Sequence, residues 1–209
     1  VMGANDGIIS VAGIVIGVAA ATSNPYSILI SGLSGSLAGT ISMCMGEYVS
    51  VSTQKDSQKM ALISERQRLK DQYQQEFDYV QKQYEKQDID PKLANRATKE
   101  LMDKDALSTV VQERYGFNPK EFTSPYAAAI ASFISFPTGS ILPMVAVTMA
   151  PEHVRIFATM IAVLIALLIT GYFAAVLSKA NRVKSMLRNA TAGLLTMCVT
   201  YLIGQLFAR

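Results

Sequence analysis

Charge in this chain of 209 residues is segregated, and that limits what it can fold into more than any single motif does. Residues 51 to 124 hold 13 of the 19 Lys and Arg and 13 of the 16 Asp and Glu, while the flanks are nearly uncharged. A water-soluble domain spreads its charge, whereas apolar runs of about 20 residues are membrane spans. The sequence therefore reads as an all-α integral membrane protein. Spans are expected at 1–22, about 27–50, 126–148, 153–178 and 188–207, giving five transmembrane helices with a cytoplasmic helical insert between the second and third. The domains follow as 1–50 for the first two helices, 51–124 for the insert and 125–209 for the last three. The first span has only sixteen uncharged residues, Gly7 to Thr22, so its helix is expected to start at or before Val1, with a segment upstream of it.

Basic residues orient the spans. The insert and the loop carrying Lys179, Arg182, Lys184 and Arg188 leave only Arg155 and Arg209 to the opposite side. By the excess of Lys and Arg in cytoplasmic loops, the insert, the N-terminal end and the loop between the fourth and fifth spans are cytoplasmic. The insert balances its charges, so no nucleic-acid patch is present. Cys44 and Cys198 lie in apolar spans and imply neither a disulfide nor a zinc site. His153, in APEHVR, reads as solvent-exposed. With no Gly-Lys-Ser/Thr phosphate loop, His-Glu-x-x-His or Gly-x-Ser-x-Gly, the sequence argues against an ATP-driven pump and a membrane enzyme, and no cofactor is expected.

The second span carries the most chemistry. Gly32, Gly35, Gly39, Ser42 and Gly46 recur at steps of three and four, a small-residue stripe that lets a neighbouring backbone approach. Beside it Thr40, Met43, Glu47 and Ser50 share a face. A carboxylate at the edge of a span is costly and hence a functional candidate; Glu47 also fits a helix leaving the bilayer. In the first span, Asp6 fits either an N-terminal cap or a carboxylate drawn into the membrane, and the length needed to cross favours the latter. Gly13 and Gly17 form a second small-residue pair, so both glycine-bearing spans are available for dimerisation. Five spans cannot split into two equal inverted repeats, which favours a path enclosed by a two-fold homodimer.

In the insert, Leu62, Leu69, Tyr73, Phe77, Val80 and Tyr84 form an amphipathic stripe continuing the second span. Asp90-Pro91 opens a helix. Asp103 or Asp105 opens another, ending at Gly116, for a three-helix subdomain.

NDGIISVAGIVIGVA, SGLSGSLAGTISMCMGEYVSVSTQKD and SPYAAAIASFISFPTGSILPM, in that order, resemble the vacuolar iron transporter family, in its bacterial five-span branch. The resemblance covers nearly the whole chain, and GEYVSVSTQKD is its most specific piece. It implies a homodimer in the lipid bilayer that moves Fe²⁺, and often Mn²⁺, out of the cytosol in exchange for protons. The path is implied to lie between the first and second spans, lined by Asp6 and Met43, and the location to be a bacterial plasma membrane. Carboxylate plus thioether suits a borderline divalent ion better than Ca²⁺ or Mg²⁺, and Asp6 and Glu47 can alternate between proton and metal.

The chain also departs from the family. Plant members carry Glu where Gly35 stands, and gather metal in the insert with two Glu-x-x-Glu pairs and a Met-Met-x-x-Glu segment. Here Glu65 is followed by Arg68, Glu76 by Tyr79, and the last segment reads Val110, Val111 and Arg114 with Glu113 displaced by one. Of the implied insert ligands Glu65, Glu76 and Glu113, an adjacent Arg opposes divalent binding, and the insert is expected to bind metal weakly or not at all. The alternative function is a membrane scaffold or regulator of the same fold with weakened transport.

Overall fold

The computed structural model describes residues 2–208; Val1 and Arg209, on which the start of the first span and part of the charge count rest, lie outside the described residues. The chain separates into two compact units, one built from the segments up to Tyr48 and from Tyr126 onward, the other Val49–Pro125. Seven α-helices account for nearly all of it: α1 Met2–Ala21, α2 Pro25–Asp71, α3 Tyr73–Glu85, α4 Pro91–Tyr115, α5 Pro125–Met149, α6 Arg155–Leu177 and α7 Arg182–Leu206, with a 3-10 turn at Glu152–Val154. Five of them (α1, α2, α5, α6 and α7) are long and apolar enough to cross a membrane. The protein is an all-α integral membrane protein with a helical insert between its second and third spans.

The central helix of the span-bearing unit is α1, which is apolar on both sides and buries both. One side packs Ile8, Ala12 and Ile16 against Val163 and Leu167 of α6 and Met197 of α7. The other packs Val11 and Val15 against Ile28 of α2 and Phe136, Met144 and Val147 of α5. Glycines set how closely these helices approach, because lipid offers no hydrophobic drive and packing does the work. A methyl at Gly7 would strike the backbone carbonyl of Phe136, and one at Gly139 the carbonyl of Ala4, so α1 and α5 cross backbone to backbone. On α2, Gly32 seats Met144 and Val15, Gly35 seats Ile14, and Gly39 seats Phe136.

The stripe expected on α2 is thus shorter than its spacing implied, since Ser42 is exposed and nothing lies within 4 Å of a methyl at Gly46. Gly13 and Gly17 also correct the expectation that both glycine-bearing spans are free for dimerisation. They are covered within the chain by Thr196 and Thr200 of α7, where Gly204 meets the Gly17 carbonyl. Gly7→Val is expected to cost about 1–3 kcal/mol, the usual range for overpacking, and several degrees in Tm. Gly46→Ala should cost nothing, as read by thermal stability of the purified protein in detergent.

Boundaries shift where local caps act. The fifth span starts at Arg182 rather than Arg188, because Asn181 caps it by accepting from the Lys184 amide at 3.0 Å. Pro137 and Pro143 lie inside α5 without ending it. Hydroxyls take up part of the backbone bonding there, with Ser140 donating to the Pro137 carbonyl at 2.9 Å. Ser140 also hydrogen-bonds Ser36 of α2, oxygen to oxygen 2.6 Å.

The insert comprises the end of α2 with α3 and α4. Its apolar stripe does not run on as one helix: the backbone leaves helical geometry at Gln72 (φ −142°, ψ 44°). Leu69, Phe77 and Tyr84 pack around a core of Val80, Met102 and Val110, while Tyr73 is exposed. Asp90 caps α4 by accepting from the Lys92 and Leu93 amides, with Pro91 in the first turn. Gly116 closes α4 at φ +73°, a left-handed geometry that suits glycine.

Within α4 the backbone breaks at Asp105 (φ −160°, ψ 85°). Its carboxylate restarts the helix by accepting from the Ser108 amide at 3.0 Å and hydroxyl at 2.7 Å. Lys120, 2.8 Å away, is the main reason that Asp105 titrates at about 2, with the Ser108 bonds adding to it. Because the folded pKa lies below the ordinary one, the cap's contribution is full above about pH 4 and is lost as pH falls toward 2. Amide exchange of residues 106–115 in the whole protein should accelerate over that window relative to Asp105→Asn, which lacks the titration.

Candidate metal path and the insert carboxylates

Met43 and Glu47 lie one turn apart on α2 and line the same cavity. It has a volume of about 230 Å³ and is walled by Met2 and Gly3 of α1 and by Ser132 and Ser135 of α5. Both α2 side chains are half-buried, and Met43 also packs against the cluster around Phe136 and Met144. The cavity lies at the end of the bundle where the insert leaves it. A thioether, a carboxylate and two hydroxyls therefore face a space large enough for a hydrated ion. The two serines are a feature that sequence reasoning missed. No local signal marked them, because α5 also carries Thr138, Ser140 and Thr148.

Asp6 sits in the second turn of α1, four residues after Met2, so it is not the helix cap. The length argument drew it into the membrane, and it lies within α1, a helix long and apolar enough to cross one. It is exposed on the unit's surface and makes no ion pair among the described residues. Its neighbour Asn5 points inward, accepting from Thr170 of α6 at 3.1 Å and Asn189 of α7 at 3.3 Å. Of the face expected on α2, Thr40 is buried and donates to the Ser36 carbonyl at 2.7 Å, and Ser50 is exposed.

In the insert the fold brings Glu65 and Glu76 together, and Arg114 stands between them. The guanidinium donates to Glu65 Oε2 at 2.6 Å and to Glu76 Oε2 at 2.7 Å, and lies over the Tyr79 ring at 4.2 Å. Glu65 is 0% exposed and Glu76 is 5% exposed, so both carboxylates are dry. Arg68 at 3.2 Å and the Tyr115 hydroxyl at 3.0 Å complete the shell of Glu65. Burial works against the charge of Arg114, but the two carboxylates outweigh it and push its pKa above the ordinary value. Burial, and then Glu65, likewise raises the Tyr115 hydroxyl.

Glu113 is elsewhere, accepting from the Tyr84 hydroxyl at 3.0 Å. Burial, followed by that contact, pushes Tyr84 up to about 12. Among the described residues no three His, Cys, Asp or Glu side chains converge to hold a metal. A larger cavity of about 580 Å³ lies between α6 and α7 at the other end of the bundle, lined by Glu152, His153 and Cys198 but otherwise by apolar and aromatic side chains. His153 is exposed at its rim.

The family model that matches this chain is that of the VIT family, over residues 1–205. The chain belongs to the VIT family. A vacuolar iron transporter of Acanthamoeba castellanii is 33% identical over 207 residues, covering 99% of this chain and 76% of that protein. Vacuolar iron transporter homolog 3 of Arabidopsis thaliana is 32% identical over 202 residues, 96% of this chain and 78% of the relative. Vacuolar iron transporter homolog 2 of rice, Oryza sativa subsp. japonica, is 31% identical over 209 residues, 100% of this chain and 88% of the relative. Family membership sets this chain among transporters rather than enzymes.

Proposed function

We propose that this VIT-family protein is a secondary transporter that moves Fe²⁺ and Mn²⁺ out of the cytosol in exchange for protons, as a homodimer in a bacterial plasma membrane with the insert on the cytoplasmic side. The observation that carries the reading is the cavity shared by Met43 and Glu47. Soft sulfur and hard oxygen donors in one place favour borderline first-row ions over Ca²⁺ and Mg²⁺. A metal ligand must release its proton to bind, so Glu47 and Asp6 can exchange one cargo for the other. The names of the relatives support iron as cargo. The row of exposed apolar side chains Leu33, Leu37, Ile41 and Met45 on α2 supports a second copy alongside α2.

Arg114 supports a limited role for the insert. With Glu65 and Glu76 bridged by Arg114 and Glu65 also paired with Arg68, the two carboxylates are taken up by resident cations rather than free to gather metal. The same observation favours the alternative of a scaffold with weakened transport. Purified protein in proteoliposomes, loaded with a dye quenched by divalent ions, separates the two. Fe²⁺ and Mn²⁺ should enter, while Ca²⁺ and Mg²⁺ should not; failure of both transition metals to enter, with the protein intact, would leave the scaffold.

A further inference from the structure

We propose that the cleft between α1, α6 and α7, at the end of the bundle where the insert leaves it, binds the headgroup phosphate of an anionic phospholipid. From His153 to the C-terminus the sequence contains no Asp or Glu. Lys179, Arg182, Lys184 and Arg188 therefore have no carboxylate on their own helices, and none of them makes an ion pair among the described residues. Arg182 is folded over the Tyr172 ring at 5.5 Å. Arg188 instead lines a cavity of about 490 Å³ together with Asn5, Ser178 and Asn189, and with Met2 and Leu177.

The polar side of this cavity is built. Asn5 accepts from both Thr170 and Asn189, which ties the three helices and leaves its amide N–H₂ without an acceptor among the described residues. An arginine and an amide beside one space suit a phosphate oxygen. The apolar side decides which anion. Leu177 is 74% exposed at the end of a membrane span, where the neighbouring medium is lipid. Basic pockets between spans at the membrane surface take anionic headgroups, and an acyl chain can lie against this side chain. A second copy of the chain fits the cleft less well, since its α6 and α7 also bring cations without carboxylates.

The test uses the full-length protein, delipidated in detergent and titrated with phosphatidylglycerol or phosphatidylcholine, with retained lipid read by native mass spectrometry. Phosphatidylglycerol should be held at least about tenfold more tightly than phosphatidylcholine. Arg188→Gln should lower its affinity about fivefold, the effect of one cation at an anionic lipid surface. Arg182→Gln, outside the cavity, should change it less than about twofold on the same scale. Ser178→Leu, which fills the space without changing charge, should abolish the preference and carries the test should Arg188→Gln fold poorly. Equal retention of the two lipids, equal losses in Arg182→Gln and Arg188→Gln, or displacement of phosphatidylglycerol by millimolar inorganic phosphate would each overturn the proposal.

Discussion

Arg114→Leu is expected to destabilise the insert by about 3–5 kcal/mol, the range found when one partner of a buried ion pair is removed. The cause is specific. Glu65 and Glu76, from α2 and α3, would be left facing each other without the guanidinium that bridges them, and neither can reach water. Arg114→Lys should fall between, because an ammonium is a point charge and cannot fork to both carboxylates. Exchanging all three groups for neutral residues of similar size should recover most of the loss, as replacing whole buried charge clusters is often neutral.

Arg114→Leu should also change what the insert binds. Two adjacent dry carboxylates left with only the half-exposed Arg68 against Glu65 carry more negative charge than cation, so Mn²⁺ should stabilise the variant and leave the wild type unmoved. Amide exchange of the α3 and α4 segments in the whole protein, with and without Mn²⁺, reads both effects. A variant as stable as wild type would show that the guanidinium is dispensable. Stabilisation of the wild type by Mn²⁺ would show that the insert gathers metal despite Arg114.

The second large effect is expected in transport. Met43→Ala removes the thioether from the cavity and leaves oxygen donors alone, so flux of Fe²⁺ and Mn²⁺ should fall at least about tenfold, with selectivity over Ca²⁺ narrowing. Glu47→Gln keeps the shape of the cavity but removes its charge, and should weaken entry of either metal. Asp6→Asn should be more severe for coupling than for folding. The carboxylate is exposed in the single chain and makes no ion pair among the described residues, so losing its charge breaks no ion pair among them. Thermal stability of Glu47→Gln and Asp6→Asn should stay close to wild type, which separates a damaged path from a damaged protein, whereas Met43→Ala should also lose some packing against the Phe136 cluster.

The spans and the all-helical class were legible because they rest on local composition, which hydrophobic runs and charge segregation report directly. Caps were legible where the residue type is diagnostic. Asp90 with Pro91 and Gly116 each act where the sequence placed them, and of the two candidates Asp103 and Asp105 it is Asp105 that caps. The break at Gln72 was not, because Gln is an ordinary helix former and the apolar stripe continues past it. Glycine pairs announced close approach without naming the partner. Gly13 and Gly17 were open to a second chain until α7 was seen to cover them.

Legibility of the candidate sites follows the same division. Met43 and Glu47 are four residues apart on one helix, so their shared face could be read from spacing. Ser132 and Ser135 join them only through the packing of α5, which no local pattern encodes. Arg114 was legible as an obstacle to metal in the insert. That it bridges Glu65 and Glu76, 49 and 38 residues away in the chain, is a tertiary fact.

The central claim is tested most directly by the initial rate of Mn²⁺ entry into proteoliposomes, with and without an imposed pH gradient, for wild type and Asp6→Asn side by side. Proton-coupled export predicts a wild-type rate that rises with the gradient and an Asp6→Asn rate that is low and indifferent to it. Entry that proceeds equally without a gradient in both proteins would contradict the account and mark the protein as an uncoupled channel.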